Sequence, residues 1–120
     1  MDRPKFAPTH RVWRAFGASY RGFRGAFRGE AAFRQELAVA LVVIPLGLYL
    51  GKNGTERALL VGPMVLVLVV ELVNSAIEAT VDRVGLELHE LSGLAKDLGS
   101  AAVLTSFVLL GLTWLLVLLF

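Results

Sequence analysis

The chain has 120 residues, 56% of them hydrophobic, which exceeds the roughly half or less of an ordinary soluble domain. That length holds one small domain at most, and a water-soluble core has no room for the apolar excess. The formal net charge is only +2, and the complete lack of cysteine excludes disulfides, thiolate metal sites and cysteine nucleophiles.

The N-terminus carries no apolar stretch followed by a small-residue cleavage site, so no removable leader is expected. Arg3, Lys5, Arg11, Arg14, Arg21, Arg24, Arg28 and Arg34 all precede the first apolar run. Read as a helix, residues 11–30 place Trp13, Phe16, Tyr20, Phe23 and Phe27 at alternating steps of three and four, which is one continuous face, with arginines on the adjoining arc. An aromatic and arginine-rich helix of this kind suits the membrane interface, with rings among acyl chains and guanidiniums near lipid phosphates. Gly17, Gly22, Gly25 and Gly29 each cost roughly 1 kcal/mol against alanine in a helix, so the segment needs the bilayer or other helices to hold it. The same basic run in a nucleic-acid arm would lack this amphipathic split, and no nucleic-acid partner is expected.

Three apolar stretches follow: Leu37 to Gly51, Ala58 to Val70 extending to about Val84, and Leu98 to Phe120. The last is uncharged over more than the roughly 20 residues that cross a hydrocarbon core. The first two reach that length only by including Glu36, Glu71, Glu78 or Asp82. Span one is assigned to 31–51 with Pro45 inside it, a residue tolerated where neighbours satisfy the freed carbonyl. Gly51-Lys52-Asn53-Gly54 signals a tight turn, span two covers 55–84, residues 85–95 form a loop, and span three covers 96–120. Since Lys52 and Arg57 are the only bases between spans one and two, the basic N-terminus and the 85–95 loop are expected on the cytoplasmic side. The fold class is therefore an all-α, polytopic membrane protein: a single membrane domain with an N-terminal amphipathic surface helix and three transmembrane helices.

Span two carries the chemistry. Glu71, Asn74, Ser75, Glu78 and Asp82 fall on one helical stripe, opposite an apolar face of Leu68, Val69, Val73, Ile77 and Val84. An ionisable side chain at membrane depth costs at least about 2.5 kcal/mol on insertion scales, so three acids on one stripe must face protein, a cation or water. A purely structural polar seam between helices is the competing reading, strongest for Asn74 and Ser75. Glu30, at the junction of the surface helix and span one, and Lys96-Asp97, opening span three, lie at the same membrane face. Carboxylates bind Mg²⁺ through one or two protein ligands with phosphates and water completing the shell, a role that suits Glu30 and Glu78. Lys96 could balance phosphate charge, and a partly buried glutamate is a plausible base for a phosphoryl acceptor. Neither a glycine-rich loop ending in Gly-Lys-Ser/Thr nor a G-x-G-x-x-G is present, so a nucleotide site must be built differently. Residue chemistry alone reaches a membrane protein with a metal-capable acidic site at its inner face.

The segments Glu30-Ala31-Ala32-Phe33-Arg34-Gln35-Glu36, Glu71-Leu72-Val73-Asn74-Ser75-Ala76-Ile77-Glu78, Asp82-Arg83, His89-Glu90-Leu91-Ser92-Gly93 and Ala95-Lys96-Asp97 through Gly99-Ser100-Ala101-Ala102 resemble the prokaryotic diacylglycerol kinase family, over nearly the whole chain from about Arg11. The resemblance implies a homotrimeric helical bundle in the bacterial inner membrane, with active sites between subunits. It further implies transfer of the γ-phosphate of Mg-ATP to diacylglycerol in phospholipid recycling. By it, Glu71 matches the general base, with Asn74 close by, and Glu30 and Glu78 match Mg²⁺ ligands at the nucleotide. Arg11, Glu87, His89, Lys96 and Asp97 match ATP contacts, and Arg11, Phe33, Arg34, Glu71 and Ser100 match the lipid pocket. The sequence departs from the family at Ala18, where a tyrosine near the nucleotide is common and Tyr20 stands on another side of the helix, and at Leu88 and Leu94 in the loop. The alternatives are an undecaprenol kinase in the same superfamily, a small multispan transporter, and a structural helper subunit.

Overall fold

The computed structural model describes residues 8–85 and 87–120, so Arg3 and Lys5 lie outside the described residues. Four helices follow one another: α1 (Pro8–Gly29), α2 (Ala31–Leu50), α3 (Gly54–Val84) and α4 (Glu90–Leu119). The all-helical expectation holds, and α2, α3 and α4 are each long and apolar enough to cross a bilayer.

Proline at the first position of α1 is preorganised for a helical start and gives up an N–H that has no partner there. The helix stops because Glu30 is extended (φ −122°, ψ 108°), and α2 begins at the very next residue. Arg34 closes this break by donating from Nη1 to the Phe27 carbonyl (2.7 Å) and the Arg28 carbonyl (3.2 Å), two of the acceptors that a helix end leaves open.

The turn between α2 and α3 is held as tightly as its sequence signal implies. Asn53 Oδ1 accepts from the Glu56 backbone N–H (2.9 Å), and the Lys52 N–H donates to Glu56 Oε2 (2.8 Å), a variant of the capping box. Arg57 Nε donates to the Leu48 carbonyl (3.1 Å) across the turn. Gly51 has no room for a side chain, since a Cβ there would lie 2.8 Å from the Arg57 backbone nitrogen.

At about 1.5 Å per residue, the 31-residue α3 is roughly 46 Å long against a hydrocarbon core of about 30 Å. Its ends, and those of the 30-residue α4, must project beyond the acyl chains. α4 starts at Glu90, inside the segment expected as loop, because His89 caps it: Nδ1 accepts from the Leu91 N–H at 3.1 Å. Lys96 and Asp97 accordingly stand on helix.

α3 is the middle helix, packed against both α2 and α4, while α1 touches α2. Ala40, Met64 and Val67 form the shared core, with Val43, Ile44, Leu68, Phe107 and Leu110 packed onto it. Two glycines set the close crossings. A Cβ on Gly47 would press on Leu60 Cβ at 3.1 Å, and one on Gly99 would overlap the Asn74 side chain. Trp114 ties the far end of α4 to α3 by donating from Nε1 to the Leu60 carbonyl (2.9 Å). Large apolar side chains elsewhere point outward, including Leu41, Tyr49, Leu104, Val108 and Leu119. That is costly in water but natural against acyl chains, and the chain is a membrane protein.

Candidate active site

The polar stripe of α3 passes from buried to exposed along the helix. Glu71 and Asn74 are buried, Ser75 and Glu78 half-buried, and Asp82 exposed. The 3.6-residue repeat puts these groups on one face, and the packing of α2 and α4 covers its inner half. Glu71 is 5% exposed and is met by a residue to which the sequence assigned no role, Glu36 on α2, itself 6% exposed. Their carboxyl groups face each other within hydrogen-bonding reach, and Glu30 and Glu78 lie in the electrostatic reach of Glu71. Glu71 is thus met closely by one carboxyl group, that of Glu36 on α2, with those of Glu30 at the N-cap of α2 and Glu78 on α3 farther off in its electrostatic surroundings.

Glu36 Oε2 and Asn74 Oδ1 are both buried with no hydrogen-bond partner among the described residues. Glu36 carried a readable signal: with Phe33, Ala40 and Gly47 it makes up the buried face of α2, at steps of three, four and seven. Only the unknown facing helix hid its partner. The Asn74 amide sits over the bare backbone of Gly99, where α3 and α4 approach closely.

Of the clefts around this centre, two gather charged residues. The larger, about 510 Å³, lies between α1 and α3. Ser19, Gly22, Phe23, Gly25 and Ala26 form one wall, Leu72, Ser75, Ala76 and Ala79 the other, and Glu30 stands at its edge. The smaller, about 130 Å³, sits where α3 turns into α4 and gathers Asp82, Glu87, His89, Ser92 and Lys96. Here Lys96 Nζ and Asp82 Oδ1 form an ion pair at 2.8 Å, both side chains nearly half exposed, with Glu78 also in the reach of Lys96. A pair so exposed contributes little to stability, and its lysine is free to turn to a better anion.

The expected nucleotide residues therefore divide. Glu87, His89 and Lys96 share the smaller cleft, and Glu30 lies at the larger one. Arg11, Asp97 and Ser100 are exposed and line neither cleft. Of the expected lipid contacts, Phe33 is 2% exposed and faces inward, and Arg34 is engaged by the carbonyls that end α1.

Among the described residues no three of His, Asp and Glu converge into a metal-binding group. Glu30 and Glu78 offer two carboxylates, and the Glu30 side chain is not consumed in capping α2. That donor set fits a hard divalent cation of the Mg²⁺ kind, which takes one or two carboxylates and draws its other oxygens from phosphates and water. It does not fit a cation held by protein alone.

Comparison with known proteins finds close relatives over most of the chain. A family model described as prokaryotic diacylglycerol kinase matches residues 17–118. The chain is similar to a diacylglycerol kinase of Pseudomonas aeruginosa, with 51% identity over 109 residues, covering 91% of this chain and 89% of that protein. It is likewise similar to one of Escherichia coli, with 47% identity over 108 residues, covering 90% and 88%. A third, of Haemophilus influenzae, is 46% identical over 96 residues, covering 80% and 81%.

Proposed function

The chain belongs to the prokaryotic diacylglycerol kinase family, and on that premise we propose that it phosphorylates diacylglycerol with Mg-ATP, yielding phosphatidic acid and ADP. The observation that carries this reading is Glu71, buried on α3 with Glu30, Glu36 and Glu78 around it. Phosphoryl transfer needs little covalent help from protein; it needs positioning, neutralised charge and a base for the attacking hydroxyl. Glu71 is that base. As the lipid hydroxyl oxygen attacks Pγ, its proton passes to the Glu71 carboxylate, the bond from Pγ to the bridging oxygen breaks, and ADP leaves.

Glu30 and Glu78 are the residues that would hold Mg²⁺, which when bound neutralises triphosphate charge. Glu87, His89 and Lys96 contact ATP from the α3–α4 turn, with Lys96 exchanging Asp82 for a phosphate oxygen. Arg11 and Asp97 extend the nucleotide contacts, Arg11, Arg34 and Ser100 the lipid contacts, Phe33 supports the pocket wall, and Asn74 holds the crossing beside Glu71.

The division of these residues between two clefts supports an active site completed by a neighbouring subunit, hence a homotrimer. The outward rings of Trp13, Phe16, Tyr20, Phe23 and Phe27 support α1 as an amphipathic helix lying on the bilayer. The charge distribution supports an inner-membrane protein with its N-terminus and its α3–α4 turn in the cytoplasm. A transporter or a non-catalytic helper is at odds with membership of a kinase family, and the relatives' names favour diacylglycerol over undecaprenol.

The test offers each lipid to the purified protein in mixed micelles with labelled ATP, comparing wild type with Glu71→Gln. The expected result is Mg²⁺-dependent labelling of diacylglycerol, lost in Glu71→Gln. Full transfer by that variant would refute the base assignment, and faster labelling of undecaprenol the substrate.

A further inference from the structure

Two buried acids in contact need a reason, and the kinase reading uses only one of them. Glu36 reaches Glu71 from α2, both are at least nine-tenths buried, and Glu36 Oε2 has no hydrogen-bond partner among the described residues. The charged groups facing the pair deepen the problem. Glu30 at the start of α2 and Glu78 on α3 are acids too, and Lys96 of α4 is paired with Asp82. Arg34, only two residues before Glu36, is turned to the carbonyls of Phe27 and Arg28. Two ionised carboxylates cannot share such a site; one proton held between them removes the repulsion and supplies the missing hydrogen bond.

We propose that Glu36 is a positioning residue for Glu71, its carboxyl group sharing one proton with the Glu71 carboxylate and so holding it in the orientation that receives the lipid hydroxyl's proton. This rests on Glu71 as the base of the kinase reaction. One carboxylate oxygen of Glu71 is tied by the hydrogen bond to α2, and the other is left aimed at the substrate. The arrangement spans two helices, so it also fixes how α2 sits against α3 at the depth of the chemistry. The buried face of Phe33, Glu36, Ala40 and Gly47 makes that fixing rigid, because the residues above and below Glu36 are themselves packed.

The experiment measures kcat and the KM for Mg-ATP and for diacylglycerol in mixed micelles for wild type, Glu36→Gln, Glu36→Leu and Glu71→Gln. Leucine fills the space without a hydrogen bond and leaves Glu71 free to turn; glutamine restores a donor. The expected results are a kcat lowered about 10²-fold in Glu36→Leu, the loss typical of a misplaced catalytic group, with KM for Mg-ATP unchanged, and recovery of most of that loss in Glu36→Gln. Infrared spectra of the same preparations are expected to show a protonated carboxylic acid band in wild type that disappears in Glu36→Gln. Wild-type kcat in Glu36→Leu, or an acid band untouched by Glu36→Gln, would overturn the proposal. Should Glu36→Leu fail to fold, the kcat and infrared band of Glu36→Gln decide it. Failure of the kinase reading itself looks different: Glu71→Gln would then keep full activity, whatever the Glu36 variants do.

Discussion

Gly99→Ala is the most informative single change, because its effect should reverse sign with one neighbour. A Cβ built on Gly99 lies 3.1 Å from Asn74 Cγ and overlaps Oδ1. The atoms met belong to the Asn74 side chain, which is buried between the two helices, so the added methyl is relieved only by turning that amide within a packed crossing. Overpacking of this kind costs about 1–3 kcal/mol, while alanine gains about 1 kcal/mol over glycine in a helix interior. The variant should therefore be destabilised by about 0–2 kcal/mol net. In an Asn74→Ala background the overlap is gone, only the helix gain remains, and the same substitution should stabilise by up to about 1 kcal/mol. The coupling between the two positions is then about 1–3 kcal/mol, well above the few tenths expected of independent sites. The assay is reversible unfolding of wild type, both single variants and the double variant in mixed micelles titrated with sodium dodecyl sulfate. Additive effects within about 0.5 kcal/mol would show that Asn74 does not sit over Gly99, and the tight α3–α4 crossing would be refuted.

Trp114→Phe removes the indole N–H that reaches the Leu60 carbonyl and should lower stability by about 0.5–1.5 kcal/mol in the same titration; an unchanged midpoint would mean the bond contributes nothing. Asp82→Asn frees Lys96 from its ion pair and, because the pair is half exposed, should leave the unfolding midpoint in place; a marked loss would make the pair structural. Chelating divalent cations should abolish lipid phosphorylation and added Mg²⁺ should restore it, measured by labelled product; activity that survives chelation would refute metal binding by Glu30 and Glu78.

Much of the architecture was legible because helical patterning is local. The uncharged run of Leu98 to Phe120, the turn signal at 51–54 and the acid spacing of 71–82 each depend on neighbours within a few residues along the chain. The start of α4 was less so: His89 is an uncommon cap, and a segment with Gly85, Glu87, His89 and Gly93 reads as loop by composition. Ser75 and Asp82 lie on the expected stripe yet differ in burial, which periodicity cannot report, since it gives a direction around the helix and not the length of the helix that is covered.

The apolar excess and its division into three runs, the polar stripe of α3 and the likeness to a kinase family were determined by the sequence alone, because hydrocarbon selects helices by length and composition. The pairing of Glu36 with Glu71, the seat of Asn74 on Gly99 and the separation of Glu30 from Lys96 into two clefts were decided by tertiary structure. Those depend on which faces meet when helices cross at Gly47 and Gly99, and contact between residues far apart in the chain has no local signature.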